Sequence, residues 1–256
     1  MKNAETLLLI GLVVMGGCLP AQGSQTSPDA VDVANRVHQR LQTYTEPAGW
    51  TATVVSTTFS MDRKWIPKKI TTVEKRVTQK DRERTEEILS AIEKKDAKVS
   101  DLTEKYRNDS KKEAEKKKND NQDNEGGRRD IDLSLDEYLP FSPEKQGGYS
   151  FRLLENSTLR DRRVFQLDVH PLAASDEAWE GVYFIDSETY DILRAEIGPS
   201  KKPGPLKLFE MELDLMVLEG KHLVMQRTKV RIHVGLIVKN IRVVAEEIYG
   251  NYQLLK

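Results

Sequence analysis

The sequence is short of the residues from which metal centres, disulfide scaffolds and most catalytic sites are built. It has a single cysteine, Cys18, in 256 residues, so no intrachain disulfide can form. Its four histidines are His38, His170, His222 and His233. They make no i, i+4 pair and no pair with cysteine at zinc spacing, so no metal and no cofactor is expected. There is no Gly-x-Ser-x-Gly elbow, no P-loop and no Gly-x-Gly-x-x-Gly fingerprint. Carboxylates are too abundant for one pair to stand apart, and the chain is read as a non-enzyme with no catalytic residue to name. Net charge is nearly absent too. Forty Lys+Arg against 41 Asp+Glu give −1, which leaves no global basic field for nucleic acid.

Long apolar runs are also missing. The stretch at residues 7–15 is too short for a bilayer, which needs about 20 residues. It follows Lys2 and precedes Pro20, so residues 1–23 read as an export signal. Two cleavage schemes are open. Met15-Gly16-Gly17-Cys18 resembles a bacterial lipobox, and a cut before Cys18 would leave a lipidated N-terminal cysteine. Ala21-Gln22-Gly23 is a site for the ordinary signal peptidase, and a cut there would discard Cys18. Both give an exported chain. With Leu19 after the cysteine, the lipobox resemblance implies the outer membrane, facing the periplasm, with the protein held at the membrane surface by its anchor.

What the sequence does have is alternation. Ser27-Pro28-Asp29-Ala30 opens a helix of about 15 residues, with Val31, Ala34, Val37, Leu41 and Tyr44 on one face. From Trp50 the period becomes two: Trp50, Ala52 and Val54 alternate with threonines. A second strand is expected over residues 69–78. Residues 80–129 are dense in charge of both signs. Ile88, Ile92, Val99, Leu102 and Tyr106 fall at heptad-like steps there, which predicts a charged helix over about 82–118. A flexible polar linker follows at 119–127. That helix could serve as a coiled-coil contact for a protein partner, or be a solvated insertion. Leu139-Pro140-Phe141-Ser142-Pro143 is a loop expected to touch a core.

Strands resume after Gly148 and run to the end, with apolar positions at Phe165, Leu167 and Val169, then Val182 and Phe184, then Phe209 to Val217 in steps of two. Leu218-Glu219-Gly220-Lys221 is expected to be a two-residue hairpin. Counting outward sets Glu212 opposite Arg227, Glu210 opposite Lys229, Asp214 opposite Met225, Phe209 opposite Val230 and Leu215 opposite Val224. The face with Phe209, Met211, Leu213, Leu215 and Val217 is expected to be the covered one. Residues 27–256 then form a single β-domain interrupted by the 80–129 insertion.

The C-terminal half resembles the LolA-like outer-membrane lipoprotein-sorting superfamily. The resemblance lies in residues 149–254: Val164-Phe165-Gln166-Leu167-Asp168-Val169, then Gly181-Val182-Tyr183-Phe184-Ile185-Asp186, then Ile192-Leu193-Arg194-Ala195-Glu196, a Pro-rich loop at 202–205, and the closing Tyr249 and Tyr252. It implies a mainly β (α+β) fold: a strongly curved antiparallel half-barrel with a helix over its concave face. That cavity holds acyl chains of lipids or lipoproteins. Trp50, Ala52, Val54, Phe165, Leu167, Val182 and Phe184 are its candidate lining, and Cys18 is the candidate lipidation site. A protein-interaction or envelope-sensor module on the same fold is the alternative.

Overall fold

The computed structural model describes residues 28–80, 83–120, 138–155, 157–175, 177–236 and 240–255. The chain runs α1 (Ala30–Leu41), β1 (Gly49–Met61), β2 (Pro67–Lys80), β3 (Glu83–Lys95), β4 (Lys98–Asp101), α2 (Thr103–Asp120), α3 (Pro143–Gln146), β5 (Tyr149–Leu153), β6 (Ser157–Leu159) and β7 (Arg162–Pro171). It continues with β8 (Trp179–Asp186), β9 (Ile192–Pro199), β10 (Leu206–Leu218), β11 (His222–Gly235) and β12 (Asn240–Leu254). All strands join one antiparallel sheet in the order β4-β3-β2-β1-β12-β11-β10-β9-β8-β7-β5, with β6 also on β7. Its two edges do not meet, so the sheet is an open, curved half-barrel, as expected. Two meanders make it, and the pairing of β1 with β12 joins them.

The N-terminal helix starts at Asp29, whose carboxylate accepts from the Asp32 N–H at 2.7 Å. Val33, Ala34 and Val37 are fully buried, whereas Val31, expected on the covered face, is 51% exposed. Ala34 and Val37 are buried as expected, and Val33 takes the place expected of Val31. The helix lies on β7–β10, packing with Leu167, Val169, Tyr183, Ile185, Ile192 and Leu213. Its C-terminal end is tied to the β8–β9 turn by Arg40, whose Nε donates to Asp191 at 2.6 Å, and by the Tyr44 hydroxyl on the same oxygen. The loop with the two prolines does reach this core: Leu139 and Phe141 are buried, and the Tyr183 hydroxyl donates to the Tyr138 carbonyl at 2.6 Å. Within the sheet, Gly181 (φ +144°) brings β8 against β9 so closely that a Cβ would lie 2.1 Å from the Glu196 carbonyl oxygen.

Residues 83–101 correct the expectation of a long charged helix: they are β3 and β4. Ile88 and Ile92 are on β3 and Val99 is on β4, so no heptad seam exists across them. The alternating charges are cross-strand partners, with Arg76–Glu87 at 2.7 Å, Lys75–Glu86 at 3.1 Å and Lys69–Glu93 at 3.2 Å. A helix is present only from Thr103. Its start covers the open side of β3: Arg107 donates to the Ile88 and Leu89 carbonyls, and Thr103 accepts from the Ala91 N–H. Unpaired edge groups are thereby satisfied. The expected linker lies mostly outside the described residues.

The β10–β11 hairpin also differs in register. The loop has three residues, Glu219-Gly220-Lys221, with Leu218 opposite His222, and an irregularity follows between Asp214 and Leu215. Positive φ at Glu219 and Gly220 makes the tip a tight turn, closed by the Lys221 N–H donating to the Leu218 carbonyl at 3.2 Å. Together these move the outer part of the ladder by two residues, which restores the alternation. Glu212 faces Lys229, Glu210 faces Arg231 and Asp214 faces Arg227. Glu212 still reaches Arg227 diagonally at 2.6 Å, and Met211, Leu213 and Leu215 are the buried side.

Two predictions follow from these contacts. Asp214 is 3% exposed and lies 2.7 Å from Arg194, 2.8 Å from Arg160 and 3.4 Å from Arg227. Asp214→Ala leaves three guanidiniums together and should cost about 2–4 kcal/mol in urea unfolding, with the arginines' partial exposure keeping the loss moderate. At Asp191, burial acts to raise the carboxyl pKa, but hydrogen bonds from Arg40, Tyr44 and Thr189 outweigh it and hold the group below its ordinary value. Its contribution is then complete above about pH 3.9 and lost as pH falls through the lowered native value. Acid titration of stability should show this loss, and Asp191→Asn should be less stable at neutral pH and lack that part of the acid dependence.

Candidate functional site

Side chains alternate between the two faces of the sheet, and the register sorts them into rows. One inner-face row reads Leu153, Leu167, Tyr183, Ala195, Leu213, Thr228, Glu247, Ser56, Val73 and Ala91 across β5, β7, β8, β9, β10, β11, β12, β1, β2 and β3. The adjacent outer-face row reads Arg152, Asp168, Val182, Glu196, Glu212, Lys229, Glu246, Thr57, Thr72 and Ile92. The inner row is apolar as far as Leu213, where α1 covers it, and turns polar at β11.

Past the helix, the inner face has three zones. Toward the β1–β2 turn it carries Ile232, Val234, Ile241 and Val243, paired as Ile232–Val243 and Val234–Ile241. These belong to neither buried cluster; Ile241 is 37% exposed and the others are half-buried. The middle is polar. Lys75 Nζ lies 3.1 Å from Glu86 and 3.3 Å from Glu247, and Glu247 accepts from Ser56 and, at 2.9 Å, from Tyr249. Burial acts to raise the Glu247 pKa, but Ser56 and the Lys75 charge prevail and hold it below the ordinary range. Thr228, beside Glu247 in register, is 8% exposed, and its Oγ1 has no partner among the described residues. The third zone is aromatic: Trp50 and Tyr252 have ring centroids 5.4 Å apart, and Tyr252 stacks with Tyr249 at 6.5 Å over buried Val54 and Val77. Burial pushes the Tyr249 and Tyr252 hydroxyls up from their ordinary value. The Tyr252 hydroxyl donates to the Met225 carbonyl at 2.6 Å.

The residues chosen from the sequence divide three ways. Trp50, Ala52 and Val54 are on the inner face, in or beside the aromatic zone. Phe165 and Leu167 are also inner, but they pack into the closed core with α1, and Leu167 has no exposure at all. Val182 and Phe184 are corrected: they stand on the outer face, Val182 between Asp168 and Glu196, Phe184 between Gln166 and Arg194. The strip Ile232, Val234, Ile241 and Val243 lies outside the lining expected from the sequence. Its signal is visible in the alternation, but only pairing places it outside the helix's cover. Cys18 lies outside the described residues. His222, by contrast, is a buried histidine whose Nδ1 lies 2.5 Å from the Thr45 carbonyl oxygen.

Among the described residues, no group of three or more His, Cys, Asp or Glu side chains is placed to hold a metal ion. No helix among them is long and apolar enough to cross a membrane. Past the helix, the inner face presents an apolar strip leading to a polar patch.

No protein-family model matches the chain, and no curated protein matches it. Solved structures do. It is similar to a LolA superfamily protein from Nitrosomonas europaea, at 13% identity over 90% of this chain and 95% of that one, with a TM-score of 0.36. A domain named for outer membrane lipoprotein sorting, from Vibrio parahaemolyticus, is 12% identical over 89% and 92% with a TM-score of 0.39. The MucA/MucB complex of Pseudomonas aeruginosa gives 10% over 89% and 99% with a TM-score of 0.27. The open antiparallel sheet with a helix on its inner face, described above, is the architecture that the sequence resemblance to the LolA-like superfamily implies.

Proposed function

We propose that the protein is a non-enzymatic lipoprotein of the bacterial envelope that holds acyl chains of a lipid or lipoprotein on the inner face of its half-barrel. The observation that carries this reading is the half-buried strip of Ile232, Val234, Ile241 and Val243, which neither buried cluster absorbs. Laying hydrocarbon there removes apolar surface of both partners from water, at about 0.8 kcal/mol per buried CH₂. No reactive residue is needed. The polar patch beyond the strip suits the oxygen-rich end of such a molecule, with Thr228 Oγ1 as a free donor to an ester or amide carbonyl. Lys75 is paired there with Glu86 and Glu247, so its charge is already opposed within the patch.

Ile232→Asp should lower binding of a fluorescent fatty-acid probe by more than about tenfold, since a carboxylate in the strip must be desolvated by the chain. Val182→Asp, on the outer face, should leave binding unchanged. Equal binding by both variants would contradict the assignment. A well-folded preparation with no extractable lipid and no probe binding would favour a protein-binding module instead, for which α2, seated on β3, offers a charged arm.

The anchor is the second part of the proposal. Cleavage before Cys18 and acylation of its thiol would hold the protein at the outer membrane, facing the periplasm. Cys18→Ser should move it to the soluble fraction, and an unmodified mature chain beginning at Ser24 would contradict the anchor.

A further inference from the structure

Seven large apolar side chains are exposed among the described residues, and five of them, Ile66, Val99, Leu172, Leu236 and Ile241, lie at one end of the strands. This is the end where β1 turns into β2, β3 into β4, β7 into β8 and β9 into β10, and where β11 finishes and β12 begins. The loops there are knit together. Ser200 donates its N–H to the Ala178 carbonyl at 2.8 Å, and its Oγ accepts from the Ser175 N–H at 3.1 Å. The Gly235 N–H donates to the Pro205 carbonyl at 2.8 Å. On the β1–β2 loop, Trp65 holds a left-handed φ of 62° and sets its ring against Arg231, 4.9 Å from the guanidinium carbon. Asp62 fixes that turn by accepting from the Lys64 and Ile66 N–H groups at 2.7 and 2.9 Å. The result is a shaped rim that presents Ile66 at 56% exposure.

The charge of this rim has one dominant sign. Residues 63–68 contain Arg63, Lys64 and Lys68 and no acid, and residues 200–207 contain three lysines and no acid; Asp62 and Asp96 are acids at the same end, and Lys69 is paired with Glu93 at 3.2 Å. Elsewhere on the sheet, acids and bases interleave and pair across strands. Protruding apolar side chains set among lysines fit a bilayer surface: the apolar groups enter the boundary between headgroups and acyl chains, and the lysines meet the phosphates.

We infer that this rim is a membrane-docking surface, and that its partner is a bilayer containing anionic phospholipid. The rim shares Ile241 with the inner-face strip, and Ile66, Val99, Leu172 and Leu236 lie outside that strip. It also complements the proposed anchor, because a single lipid attachment leaves orientation free, whereas a rim contact fixes which end of the sheet meets the membrane. The open end of the Val234–Ile241 strip lies at the same rim.

The test uses the Cys18→Ser chain, purified from the soluble fraction, so that the acyl anchor does not contribute. Its co-sedimentation with vesicles of phosphatidylglycerol and phosphatidylethanolamine should be at least about tenfold stronger than with phosphatidylcholine vesicles, and should weaken as salt is raised. Lys64→Glu with Lys202→Glu should lower binding about tenfold or more. Ile66→Ser with Leu236→Ser should lower it as well. An unchanged thermal transition verifies that each variant is folded, and the salt series on the parent chain is read independently of any variant. No binding to the anionic vesicles, equal binding to both vesicle types, or binding that survives both rim variants overturns the proposal. Binding lost only in Ile232→Asp would assign the lipid contact to the inner face and also overturn it.

Discussion

The pairing of β1 with β12 is the constraint on which the rest of the molecule depends. Val54 meets Tyr249 and Ser60 meets Val243, joining residues nearly the whole chain apart. Without this seam the chain would be two separate meanders, each with an open edge. With it, the inner face runs unbroken from β5 to β3, and the strip on β11–β12 stands between the helix-covered core and Thr58 and Ser60 of β1. Closing so long a loop costs chain entropy before any contact forms. The reward is cooperative: the seam assembles Val54, Val77 and Tyr249 in one buried cluster and brings Ser56 and Lys75 to Glu247.

The two faces solve different problems. The outer face is wet and is held by charge. Asp214, Arg194, Arg227 and Glu212 form a network across β9, β10 and β11, extended to β12 by Glu246 at 2.5 Å from Arg227. Such pairs select register more than they add stability. The inner face is held by burial, but unevenly. The helix shares one buried cluster with β5 and β7–β10, because twelve residues cannot cover a sheet this wide. The uncovered apolar part is where the proposed ligand sits.

How much of this is legible in the sequence depends on how many faces of a strand are buried. For β10, acids alternate with apolar residues, and the covered side is evident from spacing alone. For β8, Val182, Tyr183, Phe184 and Ile185 form a continuous apolar run, and alternation cannot say which pair turns inward. Tyr183 and Ile185 do, which places Val182 and Phe184 outside. Strand β3 is obscured for the opposite reason: its charges are so dense that it reads as a solvated helix until β2 supplies their partners. The hairpin register escapes counting because a single extra residue in the loop and one irregularity beyond it are both invisible to the pattern. The N-terminal helix, the β1 and β2 strands and the core contact of the Leu139–Phe141 loop are local signals, and all are present, the helix as 12 residues with Val33 buried rather than Val31.

The central claim is that the occupied surface is the inner face beside β11 and β12. Photocrosslinking with a diazirine fatty acid, followed by peptide mapping, tests it most directly. The account predicts labels on the β11 and β12 peptides carrying Ile232, Val234, Ile241 and Val243, competed away by unlabelled lipid. Labels concentrated on outer-face positions such as Val182 and Phe184, or no competable label on a folded sample, would contradict it.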